Sequence, residues 1–191
     1  MTLYIILLIV IPAVWIIYEL SLVARDKKEG KGTTTVDKNT RFFNFLAITL
    51  GLCLAAGLSF LPVLNFSSMK LPLIFYIGIG ILLLGMGLRY WAVAVLGKAF
   101  RTTIETDAEQ QVVSSGPYRL IRHPSYSGWL LICIGYGVAV QNWLSLAVAV
   151  LLPLAALLYR ISIEEKVLVS VFGQRYQAYQ EHTKRLVPWV W

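Results

Sequence analysis

Long apolar stretches fix what this chain can become. Leu3 to Ala24, Phe42 to Leu64 and Leu71 to Leu96 each supply the roughly 20 apolar residues that a helix needs to cross about 30 Å of hydrocarbon. A fourth block, Tyr126 to Tyr159, is longer still and is interrupted near its middle by Gln141-Asn142. Two polar residues there suit a tight turn, so the block predicts a hairpin of two helices of about 15 residues each, the first of them tilted or shallow because it is short. Pro12 marks a kink in the first stretch. No basic segment precedes that stretch and it is too long for a cleaved signal peptide, so a span is expected. The composition agrees, with 58% hydrophobic and only 14% charged residues, against about 45–50% and about 25% in soluble domains. A soluble α/β enzyme, a disordered chain and a secreted disulfide scaffold are thereby excluded. The fold class is an all-α polytopic membrane protein with about five transmembrane helices, the last two as a hairpin. Its 191 residues form one integrated domain. Residues 1–96 hold the first three helices, and residues 97–191 a polar loop, the hairpin and a C-terminal amphipathic segment.

The basic residues predict orientation. Arg25, Lys27, Lys28, Lys31, Lys38 and Arg41 crowd the first loop, whereas Lys70 stands alone in the second. Lys98, Arg101, Arg119 and Arg122 follow the third span, and Lys166, Arg175, Lys184 and Arg185 follow the fifth. The positive-inside rule then places these basic segments and the C-terminus in the cytosol, with the N-terminus outside, in the cytoplasmic membrane if the source is prokaryotic. The net charge of +7 reads as contact with anionic membrane lipid rather than nucleic acid. Cys53 and Cys133 lie in apolar runs and are expected to be reduced thiols.

The titratable residues gather on the cytosolic side, so chemistry is expected there. A metal is not expected: His123 and His182 have no ligand spacing. Gly78, Gly80, Gly85 and Gly87 sit in an apolar helix and predict close helix packing rather than a phosphate loop. Between Ser115 and Gly128, two X-Pro steps bracket a short turn carrying tyrosines, arginines and His123. That mixture suits a ligand with an aromatic ring, a carboxylate and hydroxyls. An interfacial loop touching lipid phosphates has the same composition. At the end of the fifth span, Arg160 and Glu164 lie four apart on one helix face, as an ion pair or as functional groups. Phe172-Gly173 then reads as a helix break before an amphipathic helix, and Val187 to Trp191 as an interfacial anchor.

Together these segments resemble the isoprenylcysteine carboxyl methyltransferase family. The residues that carry the likeness are Gly116-Pro117-Tyr118, Arg122-His123-Pro124-Ser125-Tyr126 with Gly128, Arg160, Glu164-Glu165, Phe172-Gly173 with Tyr176 and Tyr179, and Arg185-Leu186-Val187-Pro188. The likeness covers roughly residues 85–191, starting near Arg89-Tyr90-Trp91-Ala92. Phospholipid N-methyltransferases and some sterol reductases look similar there, and the short chain resembles compact, prokaryote-like members. The resemblance implies S-adenosylmethionine as cofactor and a lipid-tailed small molecule or prenylated peptide as acceptor. It puts cofactor contacts on Gln110, Gln111, Val112, Val113, Tyr118, His123, Pro124, Ser125, Tyr126 and Glu164, and makes Arg160 the catalytic, acceptor-binding residue. The activity implied is methyl-ester formation on a lipid-linked carboxylate at the cytosolic membrane face, in a cytosolic pocket closed by the polar segments over the third to fifth helices. The alternatives are a phospholipid amine N-methyltransferase, a reductase of sterol-like lipids and a non-enzymatic lipid-binding membrane protein.

Overall fold

A computed structural model of the chain describes residues 2–28, 40–66, 71–104 and 112–189. Six helices account for most of them: α1 (Thr2–Lys28), α2 (Thr40–Leu58), α3 (Pro72–Leu96), α4 (Pro124–Val140), α5 (Trp143–Phe172) and α6 (Gln174–His182). Helices α1, α2, α3 and α5 are long and apolar enough to cross a membrane, whereas α4 has only 17 residues. Their outward faces are bare leucine, isoleucine and valine, with Ile9, Ile17, Leu84 and Leu151 all more than 60% exposed. A bundle with such a face is stable in lipid, where no water penalises it. Pro12 is accommodated inside a continuous α1.

Helix α4 is the centre of the molecule, with twelve of its residues buried. It packs against α3 through small residues that let the two backbones meet. A Cβ on Gly135 would stand 2.3 Å from the backbone nitrogen of Leu82, and one on Gly78 would stand 2.4 Å from that of Ala139. Gly85 and Gly128 meet in the same way one level along. Dispersion between closely packed helices drives association in lipid, where the hydrophobic effect gives no bias. Of the four glycines expected to pack, Gly78 and Gly85 do so, while Gly80 and Gly87 face open space. A stripe spaced by seven occupies one helix face, and the second pair lies on another.

The hairpin turn forms where the sequence predicts it. Gln141 adopts a left-handed conformation (φ 57°), and the Asn142 side chain caps α5 by accepting from the Ser145 amide at 3.0 Å. Both residues also hold the loop between α2 and α3. Gln141 exchanges two hydrogen bonds with the Leu71 backbone, and Asn142 donates to the Leu61 carbonyl. Helix α5 runs well past Tyr159, where its apolar sequence ends, because backbone hydrogen bonds do not require apolar side chains. It stops at Gly173 (φ 55°), and α6 follows as expected.

At the opposite end, the tail after α6 lies beside the segment leading into α4. The amides of Arg122 and His123 donate to the carbonyls of Lys184 and Arg185, and Ser127 Oγ donates to the Leu186 carbonyl at 2.6 Å. These bonds fix the start of α4, whose first residue is Pro124.

Candidate functional site

A cavity of about 380 Å³ opens at the end of the bundle where α4 begins and α5 becomes polar, a volume in the range of small-molecule sites. Val112, Val113, Tyr118, His123, Ser125, Tyr126, Arg160 and Glu164 all line it. The structure therefore brings together eight of the residues singled out from the sequence. Pro124 is buried behind the wall as the first residue of α4, and Gln110 and Gln111 lie outside the described residues.

The wall is organised around the Tyr126 hydroxyl. It donates to Glu164 Oε2 at 2.6 Å and accepts from Arg160 Nε at 2.7 Å. The phenol thus connects Arg160 with Glu164, one helical turn apart on α5. Arg160 also donates through Nη1 to Thr40 Oγ1 (2.9 Å) and through Nη2 to the Thr102 carbonyl (2.8 Å). Thr102 is itself held by Asp26, which accepts from its amide at 2.6 Å, and by Arg41, which donates to its hydroxyl. The guanidinium is buried, and its partners come from α2, α4 and the segment after α3.

The two adjacent glutamates have separate tasks. Glu164 faces the cavity with a quarter of its side chain exposed. Glu165 points away and gathers Arg122 (2.8 Å), Arg185 (3.0 Å) and His123 Nε2 (3.3 Å). Consecutive helical residues are about 100° apart, so the two carboxylates point in different directions, with His123 between them. The His123 ring stacks on Tyr126 with centroids 5.4 Å apart and 7° between planes. Its Nδ1 lies 4.0 Å from Glu164.

Tyrosines close the polar end. Burial pushes the Tyr118 phenol above its ordinary range, with the Glu164 charge adding to it. Burial raises Tyr176 as well, and raises Tyr179 to about 12. All three are neutral donors at physiological pH, and Tyr179 donates to the Tyr118 carbonyl at 2.7 Å.

The cavity also holds a charged pair: the sequence places Arg89 near the far end of the third span, to snorkel or turn inward, but does not name its partner. Arg89 turns inward from α3, and Nε and Nη2 donate to the two oxygens of Glu19, each at 2.8 Å. The signal was present: one acid in an apolar span and one base in another find each other, since an unpaired charge in hydrocarbon is costly. Leu20, Val23, Phe42 and Phe45 of α1 and α2 give the lining an apolar stretch. Leu20 and Phe42 are also more than half exposed on the outer surface of the bundle. The site thus combines charged groups with an apolar wall whose Leu20 and Phe42 are also exposed.

Fold and site define an integral, multi-pass helical membrane protein with a small-molecule cavity at one end of the bundle. Residues 78–170 match the family model for the isoprenylcysteine carboxyl methyltransferase (ICMT) family. Over that region the chain is similar to this family. A probable protein-S-isoprenylcysteine O-methyltransferase from Oryza sativa subsp. indica is 32% identical over 117 residues, covering 60% of this chain and 61% of the relative. The protein-S-isoprenylcysteine O-methyltransferase of Schizosaccharomyces pombe is 31% identical over 156 residues, covering 75% and 66%. Among solved structures, a eukaryotic intramembrane Ras methyltransferase ICMT superposes with a TM-score of 0.58 at 28% identity, over 77% of this chain and 51% of that one. The chain spans between 40% and 66% of the length of the curated relatives it matches. Helices α1 and α2 and the first turn of α3 precede the family match.

Proposed function

We propose that the protein is an S-adenosylmethionine-dependent methyltransferase that forms a methyl ester on a lipid-linked, isoprenylcysteine-like carboxylate at the cytosolic membrane face, with the N-terminus outside and the C-terminus in the cytosol. The observation that carries this reading is the Tyr126 hydroxyl joining an exposed-edged carboxylate, Glu164, to a buried guanidinium, Arg160, in one cavity wall. The donor set fits the cofactor: Glu164 suits an ammonium, Tyr118 and the Val112-Val113 backbone suit an aromatic base, and His123 and Ser125 complete a compact wall. When bound, that cofactor supplies a methyl group already made electrophilic by its sulfonium.

The chain's own residues then have limited tasks. A carboxylate acceptor is ionised at neutral pH and needs no general base, so His123 is assigned to positioning. Its contacts to Glu165 and its stack on Tyr126 hold the ring still. Arg160 orients the acceptor carboxylate through its planar fork, and Tyr126 and Thr40 orient Arg160. Tyr118, Tyr176 and Tyr179 exclude water at the polar end, which strengthens each electrostatic contact inside. The acceptor's apolar tail lies along Leu20, Val23, Phe42 and Phe45, where burial of each methylene contributes about 0.8 kcal/mol.

Binding of S-adenosylmethionine to the purified protein tests the cofactor assignment. Glu164→Gln keeps the shape and removes the charge, so affinity should fall by about 1.5–3 kcal/mol, the range for a charge-assisted hydrogen bond. Unchanged affinity in a folded variant would make Glu164 a structural partner of Tyr126 alone.

A further inference from the structure

We infer that the intramembrane Glu19–Arg89 pair positions the cofactor wall of the cavity, so that α1, outside the family-matched region, belongs to the working site. The inference rests on the methyl-donor reading above.

The guanidinium of Arg89 is engaged in every direction. Nε and Nη2 form a two-point contact with Glu19, and Nη1 donates to Ser125 Oγ. One face lies over the Trp129 ring at 4.3 Å, and the Phe100 ring is 5.4 Å from its centre. Glu19 Oε1 accepts in addition from Trp15 Nε1 (3.0 Å) and Trp129 Nε1 (2.8 Å). Both charged residues are under 7% exposed, and both line the cavity.

Helix association does not account for this cost. A buried ion pair can often be replaced by apolar residues without loss of stability, and α1 already packs on α3 through apolar side chains, Leu22 with Val93 and Leu7 and Leu8 with Phe75 and Ile79. What an apolar pair could not do is hold Ser125. That residue is the second of α4, between His123 and Tyr126, at a helix start whose N-cap makes no side-chain hydrogen bond. Ser127 is tied to the tail from one side, and Arg89 ties Ser125 from the other. Glu19 fixes the height of Arg89 and, through Trp129, the next turn of α4. A shift of Arg89 would therefore displace the residues assigned to the cofactor, while Arg160, on α5, keeps Thr40 and the Thr102 carbonyl even where Tyr126 moves.

The test removes the pair without leaving a lone charge. The E19L/R89M double variant should stay folded with an unchanged or raised Tm, yet bind S-adenosylmethionine roughly ten- to a hundredfold more weakly, the effect of one charge-assisted hydrogen bond. KM for a prenylcysteine acceptor should change less than cofactor affinity does, because Thr40 and the Thr102 carbonyl still hold Arg160. Ser125→Ala should show the same weakening, and adding it to the double variant should add little, because coupled residues are not additive. Should the double variant fail to fold, Glu19→Asp keeps the charges and retracts the carboxylate by one methylene, and it should weaken cofactor binding in the same sense. Wild-type affinity in the folded double variant, or in folded Glu19→Asp, would make the pair merely structural and overturn the inference. Wild-type protein that binds no S-adenosylmethionine would instead remove the cofactor reading, and this inference with it.

Discussion

Replacing Tyr126 with phenylalanine isolates the hydroxyl on which the proposed site turns. The ring keeps its neighbours, stacked against His123 at 5.4 Å and Trp129 at 5.6 Å, so packing is retained. Two hydrogen bonds to charged groups are lost, at 2.6 Å to Glu164 and 2.7 Å from Arg160. Each is of the kind that contributes about 1.5–3 kcal/mol, but their environments differ. Glu164 has a quarter of its side chain exposed, and water replaces much of what it loses. Arg160 is 4% exposed, so its Nε is left without that acceptor and most of the loss falls there. The expected result is a fall of about 2 kcal/mol in transition-state stabilisation, or roughly thirtyfold in kcat/KM for the acceptor. S-adenosylmethionine affinity should weaken less. Steady-state kinetics with a prenylcysteine acceptor, alongside direct cofactor binding, separates the two. A folded variant with near-wild-type kcat/KM, or with its loss confined to the cofactor, would refute the bridging role.

Other substitutions test the remaining walls. Arg160→Lys keeps the charge and loses the fork, so kcat/KM for the acceptor should drop at least about tenfold with near-normal cofactor binding; kinetics and calorimetry on one preparation check both. Gly135→Ala would force its Cβ to within 2.3 Å of the Leu82 backbone nitrogen and should cost about 1–3 kcal/mol in unfolding experiments in detergent. Gly80→Ala meets no atom within 4 Å and should stabilise α3 by about 0.5–1 kcal/mol.

Features legible in the sequence were those decided locally. Gln141-Asn142 and Gly173 end helices through their own backbone and side-chain preferences, so the hairpin and the break before α6 could be read directly. Apolar length identified the spans, and the motif residues from Tyr118 to Tyr126 indeed meet Arg160 and Glu164 around one cavity. What escaped were choices of partner. Whether Glu164 or Glu165 faces the cavity depends on the rotation of α5 about its axis. The partners of Glu165 come from the tail and from the segment before α4, some 20 and 42 residues away in sequence. Likewise, Gly80 is as small as Gly78, and only the position of α4 makes one a contact and the other a lipid-facing residue. Thr40 and Thr102 gave no signal, since a threonine that accepts from an arginine looks like any other threonine.

The most direct test of the account uses purified protein with radiolabelled S-adenosylmethionine and a panel containing a prenylcysteine and an ethanolamine phospholipid, followed by alkaline treatment of the product. The account predicts label on the prenylcysteine in a bond that base hydrolyses, as an ester does. Label on the amine lipid that survives base would contradict it and make the protein an N-methyltransferase.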